Sequence, residues 1–416
     1  MSKSPLFDKI SEVRMDVMFE SLAKIFYTNG KSHAQIYKER FYSPSAVHLP
    51  ITIRQFNHDR AFQAFFYYNQ DLSIALEKIY LRFSDFLSIL PKLALIIQRQ
   101  FALASIVDEV HSTSDIEGIH STHRELRDII DGGGNNQHFS SIIKMYDLLS
   151  SGDYPQFSTC EDVRRFYDEF VHQDAIAYDF NNRLDGKLFR KEGVDVKNPS
   201  GKIIHRGVEP EGKIIAVMSE ALHFLNSDEY PALIRIAIFH YLFVYIHPFY
   251  DGNGRTARFI SSCYLAQHLH PLVALRLAVT IKRHKGRYYS LLKETDAEIN
   301  CGDITPFILG FLQFVADTLL EINSKLQHKL TQLKRMKQAL FSVLPHDEDT
   351  QNIAWAILQA CTFYGRGASI EELIAASGKT RNTVMKKLAT MPVRTLTNVR
   401  KHFYKIDWAA MRYLAH

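Results

Sequence analysis

Two apolar stretches dominate the pattern of the chain. From Pro231 to Ile246 apolar residues follow one another with few breakers, as in a helix buried on every side. From Arg255 to Leu269 helical spacing returns, with Phe259, Cys263 and Ala266 recurring every three or four positions. The short segment between them is predicted to be a loop joining two helices. Nearer the N-terminus the pattern predicts helices over Ser11 to Tyr27 and Asp71 to Leu90, with a less regular stretch around Tyr42 to Asp59. Only helical packing is expected for residues 1–102. Asp303 to Ile308 opens another apolar helix. A polar helix rich in Lys, Gln and Leu is then predicted over Glu321 to Leu340, and the charged segment Leu344 to Thr350 reads as a linker, so that 321–350 separates two parts. A compact unit over 351–416 follows, with an apolar helix from Ile353 to Phe363. Ser369 and Glu372 have capping-box spacing at the start of a second helix that Gly378 stops. Val384, Leu388 and Met391 share one face of a third helix (Asn382 to Met391), and Val393 to Ile406 alternates like a two-stranded wing.

Chemistry concentrates in the predicted loop, Ile246-His247-Pro248-Phe249-Tyr250-Asp251-Gly252-Asn253-Gly254-Arg255-Thr256-Ala257-Arg258. It combines an imidazole, a carboxylate, two glycines and two guanidinium groups. Gly252 and Gly254 let backbone N–H groups face outward at the start of a helix, which forms a nest for anionic oxygens. Ordinary turn chemistry would explain Pro, Asp, Asn and Gly here, but not His247, Arg255 and Arg258 at these offsets.

This stretch resembles the signature of the Fic family, satisfying every position of HPFx[D/E]GNGRxxR, and the likeness extends over roughly Leu103 to Leu320. The resemblance implies a mainly α fold: a Fic-type helical bundle with a small β-hairpin flap, here joined to the winged-helix-like unit. It also implies transfer of AMP from ATP to a protein Ser, Thr or Tyr hydroxyl, on this chain itself or on another protein. His247 would be the general base, Asp251 the ligand of Mg²⁺, Gly252, Asn253 and Gly254 the lining of the phosphate nest, and Arg255 the partner of the outer phosphates. A neutral imidazole suits that task, and Mg²⁺ favours oxygen ligands such as carboxylate and phosphate. Within 103–320, Thr113-Ser114-Asp115-Ile116-Glu117-Gly118 is similar to the [S/T]xxxE[G/N] pattern of the family's inhibitory helix, so residues 113–118 carry the expected inhibitory motif. There Glu117 would pair with Arg258 and keep ATP from seating its γ-phosphate. The competing reading makes Gly118 a helix stop and Glu117 a solvated side chain.

Glu192 to Lys197 and Lys202 to Gly207 flank the turn Asn198-Pro199-Ser200-Gly201, which resembles the family's flap and reads equally well as a plain surface hairpin. In the last unit Lys379, Arg381, Lys386, Lys387, Arg394, Arg400, Lys401, Lys405 and Arg412 stand against Asp407, a balance that suits a phosphate backbone. DNA and a packing or protein partner remain alternative occupants of that surface. A DNA-binding regulator using the Fic site as a nucleotide sensor is thus the second function class, and removal of AMP from a modified protein a variant of the first. The intact His247 favours an enzyme, since a sensor needs the cradle and not the base.

The 416 residues, 46% hydrophobic and 23% charged, point to an ordered protein of two or three domains. No apolar run is expected to reach the length of a membrane span, and Met1-Ser2-Lys3-Ser4-Pro5 opens no signal-peptide core, so a cytoplasmic protein without a membrane partner is expected. Cys160, Cys263, Cys301 and Cys361 are scattered and suggest neither a disulfide framework nor a zinc ribbon. His240, on the apolar helix, reads as a hydrogen-bonded core histidine, and Tyr288 and Tyr289 as packing residues. A homodimer that steadies the inhibitory helix is a further open expectation.

Overall fold

The structure, a computed structural model, describes residues 19–131, 137–197, 200–344, 347–363, 367–391, 393–398 and 401–407. Part of the expected helix before Phe19, the turn residues Asn198 and Pro199, and the basic residues Arg400 and Arg412 lie outside them.

The fold is mainly helical, as expected. Its centre is the helix Ala232–Ile246, in which thirteen of fifteen residues are buried, and its successor Asn253–His268, with thirteen of sixteen buried. Neither shows a single apolar stripe, which is the behaviour of helices enclosed on all sides. Around them pack the helices Leu95–Ile116, Glu211–Asn226, Leu277–Arg283 and Thr305–Val343. The signature loop is therefore gripped at both ends by the two most enclosed helices of the molecule. His240 is a core histidine as predicted: its ring nitrogens contact Ser261 Oγ and Tyr288 OH, each at 2.9 Å, and burial pushes its pKa down to about 3.

Three readings of the pattern are corrected. First, residues 1–102 contain more than helices, because Ala46–Arg54 and Ala61–Tyr67 form an antiparallel hairpin. Leu49, Ile51 and Ile53 alternate inward, and the register slips between His48 and Thr52, around Pro50, which cannot donate to a ladder. This hairpin docks on the core through Arg54 N–H to Tyr245 OH (2.8 Å) and through Phe65, whose backbone pairs with Gly302 and Ile304. Second, one unbroken helix of 39 residues, Thr305–Val343, runs through the boundary expected at 320–321. Third, that same helix holds a window long and apolar enough to cross a membrane, contrary to expectation; 72% of the window is buried inside the protein, as suits a core helix.

The C-terminal unit follows the predicted order closely. Glu348–Phe363 leads to the short strand Ala368–Ser369, the helices Ile370–Ser377 and Arg381–Leu388, and the hairpin Val393–Asn398 with Lys401–Ile406. Lys401–Ile406 lies between the other two strands. Ser369 and Glu372 form the predicted reciprocal capping box, and Gly378 ends the helix at φ +66. Of the basic residues on this unit, Lys379 pairs with Asp349, Arg381 with Glu371 and Lys387 with Asp347.

Candidate active site

The helix Ala232–Ile246 ends where His247 turns left-handed, at φ 53 and ψ 59, an uncommon conformation for a residue with a side chain. The turn directs the chain into Pro248-Phe249-Tyr250, and this loop is then stapled to itself. Asn253 Oδ1 accepts the Phe249 N–H (2.9 Å) while Asn253 Nδ2 donates to the Phe249 carbonyl (2.7 Å). The Asn253 side chain is thus occupied by the loop, and what it can offer an anion is its backbone N–H. Phe249 is fully buried and stacks on Tyr167 at a centroid distance of 3.7 Å, and the Tyr167 hydroxyl donates to the Asp251 carbonyl.

Gly252 caps the next helix at φ +80, a conformation open to glycine, and Thr256 N–H makes the first intrahelical bond to its carbonyl. The N–H groups of Asn253, Gly254 and Arg255 precede that bond and lie at the positive end of the helix dipole, where anions bind. Arg255 is almost wholly buried between two carboxylates, with Nη2 3.1 Å from Asp251 and Nη1 3.6 Å from Asp174.

The carboxylate of Glu117 lies against Gly254, at the start of this helix. The helix Leu95–Ile116 stops at Gly118, at φ +81, so Glu117 sits at its end and reaches into the cleft. Glu117 Oε1 accepts from Arg258 Nη2 at 2.6 Å, and Arg258 also donates to the Thr113 hydroxyl (2.8 Å) and carbonyl (3.2 Å). Any side chain at 254 would collide with this carboxylate, since a Cβ there would stand 2.2 Å from Glu117 Oε1. Burial alone would raise the pKa of Glu117, but Arg258, with Arg255 behind it, outweighs burial and holds the carboxyl below its usual range. Both readings of the 113–118 segment therefore hold in one respect: Gly118 is the helix stop, and Glu117 pairs with Arg258 while part of it stays open to solvent.

His247 is half-buried. Its Nδ1 lies 3.3 Å from the Val244 carbonyl, so an Nδ1–H donates there and leaves the Nε2 lone pair outward. Burial, with the nearby cations His205 and Arg190, pushes its pKa down to about 3. His205, on the strand Ile203–Arg206, is opposite in character. Burial works against its charge, but Asp296 (3.3 Å) and the Tyr245 carbonyl (2.7 Å) more than offset this and raise its pKa. The expected flap is present as Asp195–Lys197 paired with Ile203–Arg206.

The structure brings His247, Asp251, Gly252, Asn253, Gly254, Arg255, Arg258 and Glu117 together. Sequence reading missed Asp174, Tyr167 and Arg190, all distant in sequence from the loop they touch. No group of three or more metal-ligating side chains occurs among the described residues. Asp251, in the loop itself and paired with Arg255, is a carboxylate of the kind that serves a cation taking its remaining ligands from phosphate and water, as Mg²⁺ does.

Fold and site together define a helical protein with a glycine-containing loop at a helix start, where Arg258 is paired with the carboxylate of Glu117. The Fic/DOC family model matches residues 161–265, which include the signature loop. It is similar to the protein adenylyltransferase Fic of Drosophila mojavensis, at 36% identity over 200 residues that make up 46% of this chain and 34% of that protein. Its likeness to the Drosophila grimshawi protein of the same name is 36% over 109 residues, 26% of this chain and 20% of that protein. The chain thus spans about a third or less of the length of these relatives. Among solved structures, a Fic family protein from Desulfovibrio desulfuricans shares the fold with a TM-score of 0.51 and 18% identity, over 82% of this chain and 98% of that one.

Proposed function

We propose that this protein is an adenylyltransferase that moves AMP from ATP onto a protein hydroxyl, and that Glu117 restrains it. His247 Nε2 takes the proton from an incoming Ser, Thr or Tyr hydroxyl. The hydroxyl oxygen bonds to the α-phosphorus, the bond from that phosphorus to the bridging oxygen breaks, and pyrophosphate leaves with the electron pair. The first-turn N–H groups of Asn253, Gly254 and Arg255 hold phosphate oxygens, with Gly252 giving the loop its shape. Arg255 and Arg258 neutralise the outer phosphates once they leave their carboxylate partners. Asp251 would hold Mg²⁺, which when bound offsets charge on the phosphates.

The observation that carries the reading is the outward Nε2 of a neutral His247 at the edge of a nest whose arginine is already satisfied by Glu117 at 2.6 Å. A plug of this kind competes with the γ-phosphate for one guanidinium. The strand Ile203–Arg206 supports a role in aligning an extended peptide beside His247 through main-chain hydrogen bonds. The order of elements in the C-terminal unit, helices followed by a hairpin, supports the winged-helix-like reading. Pairing of Lys379, Arg381 and Lys387 with carboxylates lowers the charge it offers DNA, so a role in protein contact is favoured.

Intact-mass analysis of the parent, Glu117→Gly and Glu117→Gly/His247→Ala proteins after incubation with ATP and Mg²⁺, with and without a cell extract as target source, tests this. AMP addition that is weak in the parent, strong in Glu117→Gly and absent in Glu117→Gly/His247→Ala is expected. AMP addition that persists without His247 would overturn the assignment of the base.

A further inference from the structure

We infer that Arg190 is the positioning residue that sets the orientation of His247 and joins it to the base of the flap; this rests on the adenylyltransferase reading above. The last carbonyls of a helix have no N–H partners within it, and an end this enclosed cannot give them all to water. At the end of Ala232–Ile246 the guanidinium of Arg190, which is fully buried, takes that place. Its Nε donates to the His247 carbonyl at 2.8 Å, Nη2 to the carbonyls of Val208 (2.8 Å) and Ile246 (3.4 Å), and Nη1 to that of Glu192 (2.7 Å). Its own backbone N–H reaches the Pro248 carbonyl at 3.2 Å.

Those bonds seize the peptide planes on both sides of the His247 α-carbon. Fixing the Ile246 and His247 carbonyls fixes φ and ψ between them, and so holds the left-handed turn and the direction of the imidazole. Among the described residues no carboxylate lies within ion-pair distance of this buried cation, which is met instead by carbonyl dipoles, those of Ile246 and His247 at the negative end of a helix and those of Glu192 and Val208 from the neighbouring segments. Burying a charge without a counter-ion is costly, so the arrangement has a demanding geometry. Lysine cannot reproduce it, because one ammonium lacks the planar fork that reaches carbonyls on three sides.

The same guanidinium reaches the flap. Gly207 directly follows the strand Ile203–Arg206, and a Cβ at 207 would stand 2.2 Å from Arg190 Nη2 and 3.0 Å from His247 Cβ. Flap base, guanidinium and imidazole backbone thus form one packed layer, so a peptide aligned on the flap is held in register with Nε2.

The test uses the full chain in the Glu117→Gly background, comparing Arg190→Lys and Gly207→Ala with their parent. The readouts are kcat, KM for ATP, thermal melting and the ring ¹⁵N signals of His247. Loss of orientation on the scale of 1 Å is expected to lower kcat on the order of 10²-fold while KM for ATP stays within about 3-fold, and to move the His247 ring signals. A folded Arg190→Lys protein with kcat within about 3-fold of its parent and unmoved His247 signals would overturn the inference. If Arg190→Lys does not fold, Gly207→Ala decides, since it presses on the guanidinium without removing its charge: a loss confined to kcat supports the inference, and unchanged kcat overturns it. Should the Glu117→Gly parent itself transfer no AMP, the adenylyltransferase reading fails, and the His247 signals alone decide whether Arg190 positions the ring.

Discussion

The cleft and the C-terminal unit both join arginine or lysine to carboxylates, yet the pairs sit in different surroundings. Arg258 keeps only 1% of its side chain exposed and Glu117 26%, at a separation of 2.6 Å. Lys379 and Asp349, at 2.8 Å, keep 42% and 30% exposed, and Arg381 and Glu371 are more open still. Similar distances therefore carry unequal weight. Solvent and counter-ions screen the outer pairs and water replaces either partner at little cost, whereas loss of Glu117 strands a buried guanidinium that then attracts another anion.

Four changes probe that contrast, in falling order of effect. Removing the base by His247→Ala in the Glu117→Gly background should lower AMP transfer by about 10²- to 10⁴-fold with ATP binding retained, read by intact mass and by calorimetry. Removing the plug alone by Glu117→Gly should raise transfer by about 10-fold or more, since the buried guanidinium of Arg258 then has no carboxylate competing with phosphate. Equal rates in Glu117→Gly and parent would place this pair beside the inert surface ones.

Changing pH separates the two histidines of the cleft. The pKa of His247 is depressed to about 3, below an ordinary value of about 6.5, so its contribution to stability is complete above about 6.5 and is lost as pH falls toward 3. The pKa of His205 is raised, so its contribution is complete below about 6.5 and is lost as pH rises through its folded value. Melting curves across pH should show His205→Gln flattening the loss on the alkaline side and His247→Ala flattening it on the acid side. No fall in kcat/KM from His247 is expected between pH 8 and pH 5. Smallest of all, Lys379→Ala with Lys387→Ala should leave both melting temperature and AMP transfer unchanged, and a clear drop in melting temperature would erase the contrast.

The signature loop was legible from sequence because everything it needs is local: a helix end, two glycines and side chains at short offsets. The Ser369–Glu372 capping box and the Gly378 stop were legible for the same reason. Arg190, Asp174 and Thr113 meet the loop across 57, 81 and 145 positions, respectively, in their contacts with His247, Arg255 and Arg258, and no local pattern announces such encounters. Thr113 was visible only as a letter in a motif, and its grip on Arg258 required the fold. The hairpin Ala46–Arg54 with Ala61–Tyr67 was obscured by Pro50, although Leu49, Ile51 and Ile53 alternate as a half-buried strand should. The helix Thr305–Val343 was read as two because its composition turns polar at Glu321, where it passes from the core to a more open setting without changing its backbone.

That unbroken helix also gives the molecule a mechanical property. Thirty-nine residues at a rise of 1.5 Å make a rod of about 58 Å. One end is fastened beside the bridge between Phe65 and Asp303, and the other leads into the C-terminal unit. Over that span even a tilt of about 5° would carry one end through roughly 5 Å, about one helical turn, so the helix's packing along the core keeps the C-terminal unit in place.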